Sequence, residues 1–344
     1  MANSEMGPVY SPQAEKLVGS DLSAVLHGCE VPESLIVQLL PASEDEWRLV
    51  VDMGAGDGRK AEQLARLPGY AVFPRDINVN AVRECLRKGL IGSGFGDVTR
   101  FESWPLGPGS VPFFLEGMDA VLMEGLLCNL AGPEIDWKRA VRVAHMHTSP
   151  SRYLFIADVL RADEENPVLR EVLGEAKFGS WRNQWNGRYK ANNEAGLGYG
   201  EFVVANPGNA NFLAWGGPKD IKSLIASKRH FQRYARHFTV DEITREVEQV
   251  GFRVKGFDYA VWKTKPWAYL SGFVMVCEKP DEYVYHPWHK GQSFEASVSA
   301  PKPNSFASGY IDTYYQTLLR NTGLVVDDSE SYFPSLAKLV KDES

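Results

Sequence analysis

An apolar run that ends in an acid and breaks at once into alternating glycines constrains this chain more than any other feature. In Leu49-Val50-Val51-Asp52-Met53-Gly54-Ala55-Gly56-Asp57-Gly58-Arg59-Lys60 the run reads as a strand, and the glycines as a turn into a helix. Glycine permits backbone conformations and close ligand approach that a side chain blocks. Dinucleotide enzymes use such turns too, so the turn alone does not choose a ligand. Spacing helps. The third glycine of G-x-G-x-x-G would stand at position 59, and that residue is Arg59.

The pattern around this turn alternates strands with helices. Strands are expected at Arg48–Asp52, Tyr70–Arg75, Met118–Met123 and Tyr153–Asp158, with helices over Lys60–Leu67 and Asn78–Lys88. Such alternation is the signature of a doubly wound, mostly parallel α/β sheet. Before it, residues 11–40 read as helices, with Ser34 near the start of the second and Pro41 helping to stop it. After Asp158 the alternation breaks for residues 163–237. This insertion is rich in Gly, Asn and aromatic residues, and WRNQWNGRYKANN and GYGEFVVANPGNANFLAWGG look too irregular for one regular element. The sheet pattern then resumes with a helix over Val240–Val250, capped by Thr239 and ended by Gly251. Strands Phe252–Tyr259 and Tyr269–Glu278 follow. The short WKTKPW connection makes them antiparallel, because parallel neighbours need a longer crossover. The remainder is a polar tail with one helical stretch, Tyr310–Leu319.

Composition narrows the function classes. A chain of 344 residues with 44% hydrophobic and 24% charged residues is globular rather than fibrous or disordered. Its formal charge of −7 argues against a general nucleic-acid binder, which needs a cationic footprint. Cys29, Cys85, Cys128 and Cys277 are too scattered for a disulfide framework or a structural zinc site. The opening residues lack the pattern of a secretory signal, and no apolar run is long enough to span a bilayer. A soluble protein of a reducing cytoplasm is expected.

The string D-M-G-A-G-D-G resembles motif I of the class I S-adenosylmethionine (SAM) dependent methyltransferases, of the small-molecule type. Later segments extend the resemblance in the right order. FPRDIN resembles the end of the second strand, GDV at 96–98 the third-strand motif, MDAVLMEGLLCNL the fourth strand and its loop, and SRYLFIADVL the fifth. HFTVDEITREVEQVGFRV resembles the helix and sixth strand of small-molecule members. The resemblance covers roughly residues 45–160 and 237–278. It implies a Rossmann-like, mostly parallel seven-stranded sheet with an antiparallel last strand. A SAM-binding domain would then span 45–162 and 238–279, with an N-terminal helical segment at 1–44, a lid insertion at 163–237 and a C-terminal extension at 280–344.

The same resemblance assigns cofactor residues. Asp52, Gly54, Ala55, Gly56 and Gly58 would form the cradle. Asp76, beside Ile77, would bind both ribose hydroxyls, for which a carboxylate supplies the right acceptors. Asp97 would accept from the adenine amino group, beside Val98. Glu124 and Gly125, at the carboxyl edge of the sheet where open α/β sheets bind ligands, would meet the methionine ammonium. Asp57 is read as capping the next helix. The product would be S-adenosylhomocysteine (SAH).

The acceptor is approached by elimination. The place after the fourth strand reads MEGL, not the [DNS]-P-P-[YFW] of exocyclic-amine DNA methylases. Cys128 follows Leu127, so the Pro-Cys nucleophile of cytosine-C5 enzymes is missing. Asp158 is followed by Val159, without the Asp-Asn pair of metal-dependent catechol-type enzymes, so no metal is expected. A small-molecule acceptor, taking the methyl group on N or O, is the leading expectation. The insertion would define it. Trp185, Arg188 and Tyr189 offer an apolar wall, a guanidinium and a phenol in one short stretch. Between Phe178 and His237 nine basic residues face three acids, which suits an anionic acceptor as well as a plain solvated face. A hydroxyl acceptor also needs a base, for which His237 and His230 are candidates. Two further readings stay open: a SAM-binding regulatory or scaffold protein without catalysis, and a protein or RNA methylase. Neither a nucleic-acid nor a membrane partner is expected, and a homo-oligomer is left open.

Overall fold

The computed structural model describes residues 30–43, 45–76, 79–90, 92–95, 117–132, 136–205, 216–226, 231–265 and 268–281. In chain order its elements are α1 (Glu33–Leu39), β1 (Arg48–Met53), α2 (Arg59–Ala65), β2 (Tyr70–Asp76), α3 (Val79–Arg87), β3 (Gly94–Phe95) and β4 (Met118–Glu124). A 3₁₀ turn at Leu127–Asn129 leads to α4 (Trp137–His147) and β5 (Thr148–Val159). Then come α5 (Pro167–Leu173), α6 (Glu175–Glu194), β6 (Glu201–Ala205), α7 (Pro218–Ala226) and β7 (Phe231–Arg236). The last three are α8 (Val240–Gln249), β8 (Arg253–Lys265) and β9 (Ala268–Lys279). Calls at Ile77, Asp97, Val98, His230, residues 11–29 and the tail stretch Tyr310–Leu319 fall outside the described residues.

The main sheet has seven strands in the order β3-β2-β1-β4-β5-β9-β8. Strands β1 to β5 pair in parallel, and β9 runs antiparallel to both β5 and β8. This is the doubly wound architecture expected, with its single reversed strand. Alternate residues of the central strands feed two cores, because helices cover both faces. Val51, Met53, Val121, Met123, Leu154 and Ile156 face α4 and α8 on one side. Val50, Leu122, Phe155 and Ala157 face Leu35, Ile36, Ala61 and Leu64 on the other. The chain reverses direction between β1 and β4, the switch point at which such sheets open a crevice.

Helix α8 starts on a complete capping box. Thr239 Oγ1 accepts from the Glu242 amide at 3.1 Å, and Glu242 Oε2 accepts from the Thr239 amide at 2.9 Å. Arg236 ties Glu242 (2.8 Å) to Glu201 (3.4 Å), joining this helix to the insertion. Thr239→Ala should therefore lower stability by about 1 kcal/mol. Urea unfolding of the two proteins measures this, and an unchanged midpoint would mean that the box contributes nothing.

The insertion is more regular than its composition suggests. WRNQWNGRYKANN lies inside the 20-residue helix α6, and EFVVA and FQRYAR pair as the antiparallel hairpin β6–β7. Helix α6 buries Phe178, Tyr189 and Asn192. It is pinned through Trp181 Nε1, which donates to the Tyr269 carbonyl at 3.1 Å. Helix α7 packs Ile221 and Leu224 against Val203 of the hairpin. The two ends of the insertion meet at the carboxyl end of β5. The Phe238 amide bonds the Val159 carbonyl, and the Arg161 amide bonds the Phe238 carbonyl. Among the described residues no helix is long and apolar enough to cross a membrane.

Candidate functional site

The turn after β1 is fixed by the end of β2. The amides of Gly54 and Ala55 both donate to the Arg75 carbonyl, at 2.7 and 3.0 Å. Asp76 then accepts from the Gly56 amide at 2.9 Å. The loop and the second acid thus hold each other. Gly56 and Gly58 both lie at positive φ, 55° and 73°, where a side chain is strained. At Gly58 a Cβ would stand 2.5 Å from Cys85 Sγ, so the residue also permits the close approach of α3. At Gly56 a Cβ would meet no protein atom within 4 Å, so the space beside that backbone is open.

This open space belongs to a cavity of about 210 Å³ lined by Glu30, Asp52, Gly54, Ala55, Gly56, Asp57, Arg59, Lys60, Glu124 and Gly125. Six of the residues assigned to the cofactor from sequence, Asp52, Gly54, Ala55, Gly56, Glu124 and Gly125, line one wall system. Asp76 and Gly58 do not line it, though Asp76 is bonded to the loop through the Gly56 amide; Asp57 Oδ1 accepts from the Arg59 amide at 3.1 Å, a capping contact at the start of α2.

The cavity is strongly acidic and partly buried. Asp52 is almost wholly buried, and its Oδ2 has no hydrogen-bond partner among the described residues. Burial pushes its carboxyl up to about 7, with Lys60 opposing the shift and Asp76 adding to it. Burial likewise pushes Glu124 up to about 8, again against Lys60. Glu124 Oε1 accepts from the Val31 amide at 2.7 Å. Lys60 is buried too. Its ammonium donates to the Val31 carbonyl at 2.9 Å, with Glu30 at 3.8 Å and Glu124 at 4.0 Å. Arg59 pairs with Glu30.

Such a donor set fits SAM. Buried Asp52 and Glu124, whose carboxyls burial pushes up, would be relieved by a cation, and SAM carries a sulfonium and an ammonium. Lys60 and Arg59 supply positive charge for its carboxylate. Asp76 at the end of β2 supplies acceptors for a diol. Sequence reasoning missed Glu30, Arg59 and Lys60 as wall residues. Lys60 was findable, since it lies one turn beyond the glycines on the helix they open. Glu30 was not, because nothing in the sequence says where the N-terminal segment docks.

The carboxyl edge next to this cavity meets the insertion. Asp158, buried at the end of β5, accepts from the Cys128 amide at 3.2 Å and from the Val159 amide at 2.7 Å. Its carboxyl, pushed up to about 6 by burial, ties the turn that carries Gly125 to β5. Above it stands an aromatic cluster of Trp185, Tyr189, Phe202 and His237. Arg188 stacks on the rings of Trp185 and Phe202 and donates to the Val203 carbonyl at 2.9 Å. Burial draws its pKa down to about 10. Trp185, Arg188 and Tyr189 are therefore brought together, as part of the packing of the insertion itself.

His237 joins this cluster through Nδ1, 2.7 Å from Tyr189 Oη. Tyr189 Oη also accepts from the Ala162 amide at 3.3 Å. Burial, and then the Arg188 charge, draw the imidazole down to about 3, so the ring is neutral. His237, expected as a general base, thus lies buried and bonded to Tyr189 within the packing of the insertion. Among the described residues no group of three or more His, Cys, Asp or Glu is arranged to hold a metal ion.

No family model matches the chain, and no curated protein matches it. Solved structures do match, in large number. A SAM-dependent methyltransferase from Methanosarcina mazei is 16% identical, with a TM-score of 0.50, over 74% of this chain and 100% of that one. The 1,6-didemethyltoxoflavin-N1-methyltransferase of Burkholderia thailandensis, solved with 1,6-didemethyltoxoflavin and SAH, is also 16% identical. That likeness covers 69% of this chain and 73% of the other at a TM-score of 0.38. Identities this low speak for architecture alone. Strand order, the glycine turn and the first of these matches agree that the chain has the Rossmann-like fold of the class I SAM-dependent methyltransferases.

Proposed function

We propose that the protein binds SAM in the cavity between β1 and β4 and transfers its methyl group to N or O of a small molecule held under the insertion. The observation that carries this reading is the glycine-cradled, acid-rich cavity after β1, with buried Asp52, its Oδ2 unpartnered among the described residues, in the wall. When bound, SAM supplies an electrophilic methyl group on a positively charged sulfur. The chain supplies the rest. Gly54–Gly58 let the ligand approach the backbone, Asp76 holds the ribose, and Asp52 and Glu124 compensate the cationic end.

Methyl transfer from a sulfonium is an in-line displacement, so alignment and exclusion of water supply much of the acceleration. The insertion provides both by covering the carboxyl edge. Burial that draws the His237 imidazole down to about 3 makes it a weak base, which favours an acceptor that is already nucleophilic. An amine or an ionised oxygen meets that requirement. Trp185 and Arg188 shape the wall, and the basic excess of the insertion suits an acceptor bearing a carboxylate or phosphate.

Two measurements test the proposal. Calorimetry should give SAH binding in preference to NAD, and labelled SAM incubated with a metabolite panel should give a methylated product. Tighter binding of NAD would overturn the cofactor reading. SAH binding with no product on any amine, phenol or acid would favour the second reading, a SAM-binding protein without catalysis, which the low basicity of buried His237 supports. Arg188→Ala should cut turnover about tenfold while leaving SAH affinity within about twofold, because the guanidinium props the acceptor wall rather than the cofactor loop. Loss of both together would show that the insertion supports the cofactor site.

A further inference from the structure

Building on the SAM reading of the cavity, we propose that the backbone of Val31 occupies the amino-acid end of that site, so that the segment Glu30–Val31 is a plug which the ligand displaces. The Val31 amide donates to Glu124 Oε1 at 2.7 Å, and the Val31 carbonyl accepts from Lys60 Nζ at 2.9 Å. An α-amino acid presents the same two functions, a nitrogen donor and an oxygen acceptor, about one residue apart. The two charged side chains that grip this peptide both line the cavity, and Glu30, beside Val31 in the chain, lines it too.

The plug solves a problem for the empty site. Lys60 and Glu124 are buried, and buried polar groups left without partners are costly. Their ammonium and carboxylate stand 4.0 Å apart, at the limit of an ion pair, and each takes a backbone group of Val31 at shorter range. Val31 itself is fully buried, which adds an apolar contribution to the closed state. A neutral amide and carbonyl are nevertheless weaker partners than an ammonium and a carboxylate. A zwitterion therefore outcompetes the peptide, while water does not.

Displacement is local. Leu35 and Ile36 of α1 are buried in the core four and five residues further on, so the plug is tethered close to the site when it swings out. Glu30 leaves with it, releasing Arg59 beside the glycine turn. The energetic consequence is a lowered apparent affinity, since only the open fraction binds. That penalty falls on ligands with an amino-acid end and spares a ligand that has only the nucleoside.

The full-length chain provides the test, with SAH and 5′-methylthioadenosine as probes. The second probe keeps the nucleoside and lacks the amino-acid end. Val31→Pro removes the amide donor, and Val31→Gly removes the buried side chain while keeping the amide. Both should tighten SAH about five- to tenfold and leave 5′-methylthioadenosine within about twofold. In the unaltered protein, hydrogen exchange at the Glu30 and Val31 amides should speed up when SAH is added. Weaker or unchanged SAH binding in the variants, or slower exchange on adding SAH, would make the segment a wall of the site and overturn the plug. Absence of SAH binding in all three proteins would instead overturn the SAM reading beneath it.

Discussion

Asp76→Ala should weaken SAH binding roughly tenfold to 150-fold, the equivalent of about 1.5–3 kcal/mol for charge-assisted hydrogen bonds. The size follows from where the carboxylate stands. It closes β2 directly beside the glycine turn and already accepts from the Gly56 amide at 2.9 Å. Its loss thus removes the acceptors offered to a diol and also loosens the loop that cradles the ligand. The two contributions separate experimentally. Asp76→Asn keeps an oxygen for Gly56 and drops the charge, so it should recover part of the affinity. The folded state is checked by a thermal melt in the absence of ligand. Unchanged SAH affinity in a folded Asp76→Ala protein would remove Asp76 from the site.

The parts of this molecule that were legible in its sequence are those where local chemistry and global fold agree. The apolar run ending in Asp52 and its alternating glycines set a strand, a turn and a helix within a dozen residues, and β1, the turn and α2 follow that reading. Thr239 before an apolar-periodic stretch announced α8, and the structure adds a complete capping box with Glu242. The short WKTKPW link announced the antiparallel β8–β9 pair. The insertion was misread because Gly179, Gly187 and its asparagines suggest loops. Yet Phe178, Trp181, Trp185 and Tyr189 recur at intervals of three, four and four, which is the spacing of α6. The aromatic stripe was the better signal, since packing against a sheet outweighs propensity.

The candidate site divides along the same line. Residues on the glycine turn and strand ends were found because their spacing is set by the backbone. Glu30 and Val31 reach the cavity only through tertiary docking, and Lys60 meets them there. The chemistry of His237 was hidden for a similar reason. The basicity of an imidazole depends on its burial and its neighbours, and the Tyr189 hydroxyl that meets this one lies 48 residues away.

Affinity for SAM should rise about tenfold to 100-fold between pH 6 and pH 8, with protons released on binding. Asp52 and Glu124 carry this behaviour. Burial raises their carboxyls to about 7 and about 8, from ordinary values of 3.8 and 4.5. Between those limits the folded, ligand-free protein holds more protons than the unfolded chain, so its stability falls as pH rises through about 4 to 8. A cation placed against the two groups stabilises their charged forms and draws both values down. Binding then expels the protons, and linkage gives up to a tenfold gain in affinity per pH unit for each proton lost. Above about pH 8 both groups are already ionised and the gain levels off. SAM, with sulfonium and ammonium, should show a steeper dependence than SAH, which keeps only the ammonium. Calorimetry in buffers of different ionisation enthalpy counts the protons directly. Asp52→Asn and Glu124→Gln should each flatten the profile, and Glu124→Gln keeps an oxygen for the Val31 amide, so flattening there reflects charge rather than a lost contact. A flat profile in the unaltered protein, or proton uptake on binding, would place the cationic end of the ligand away from these two carboxyls.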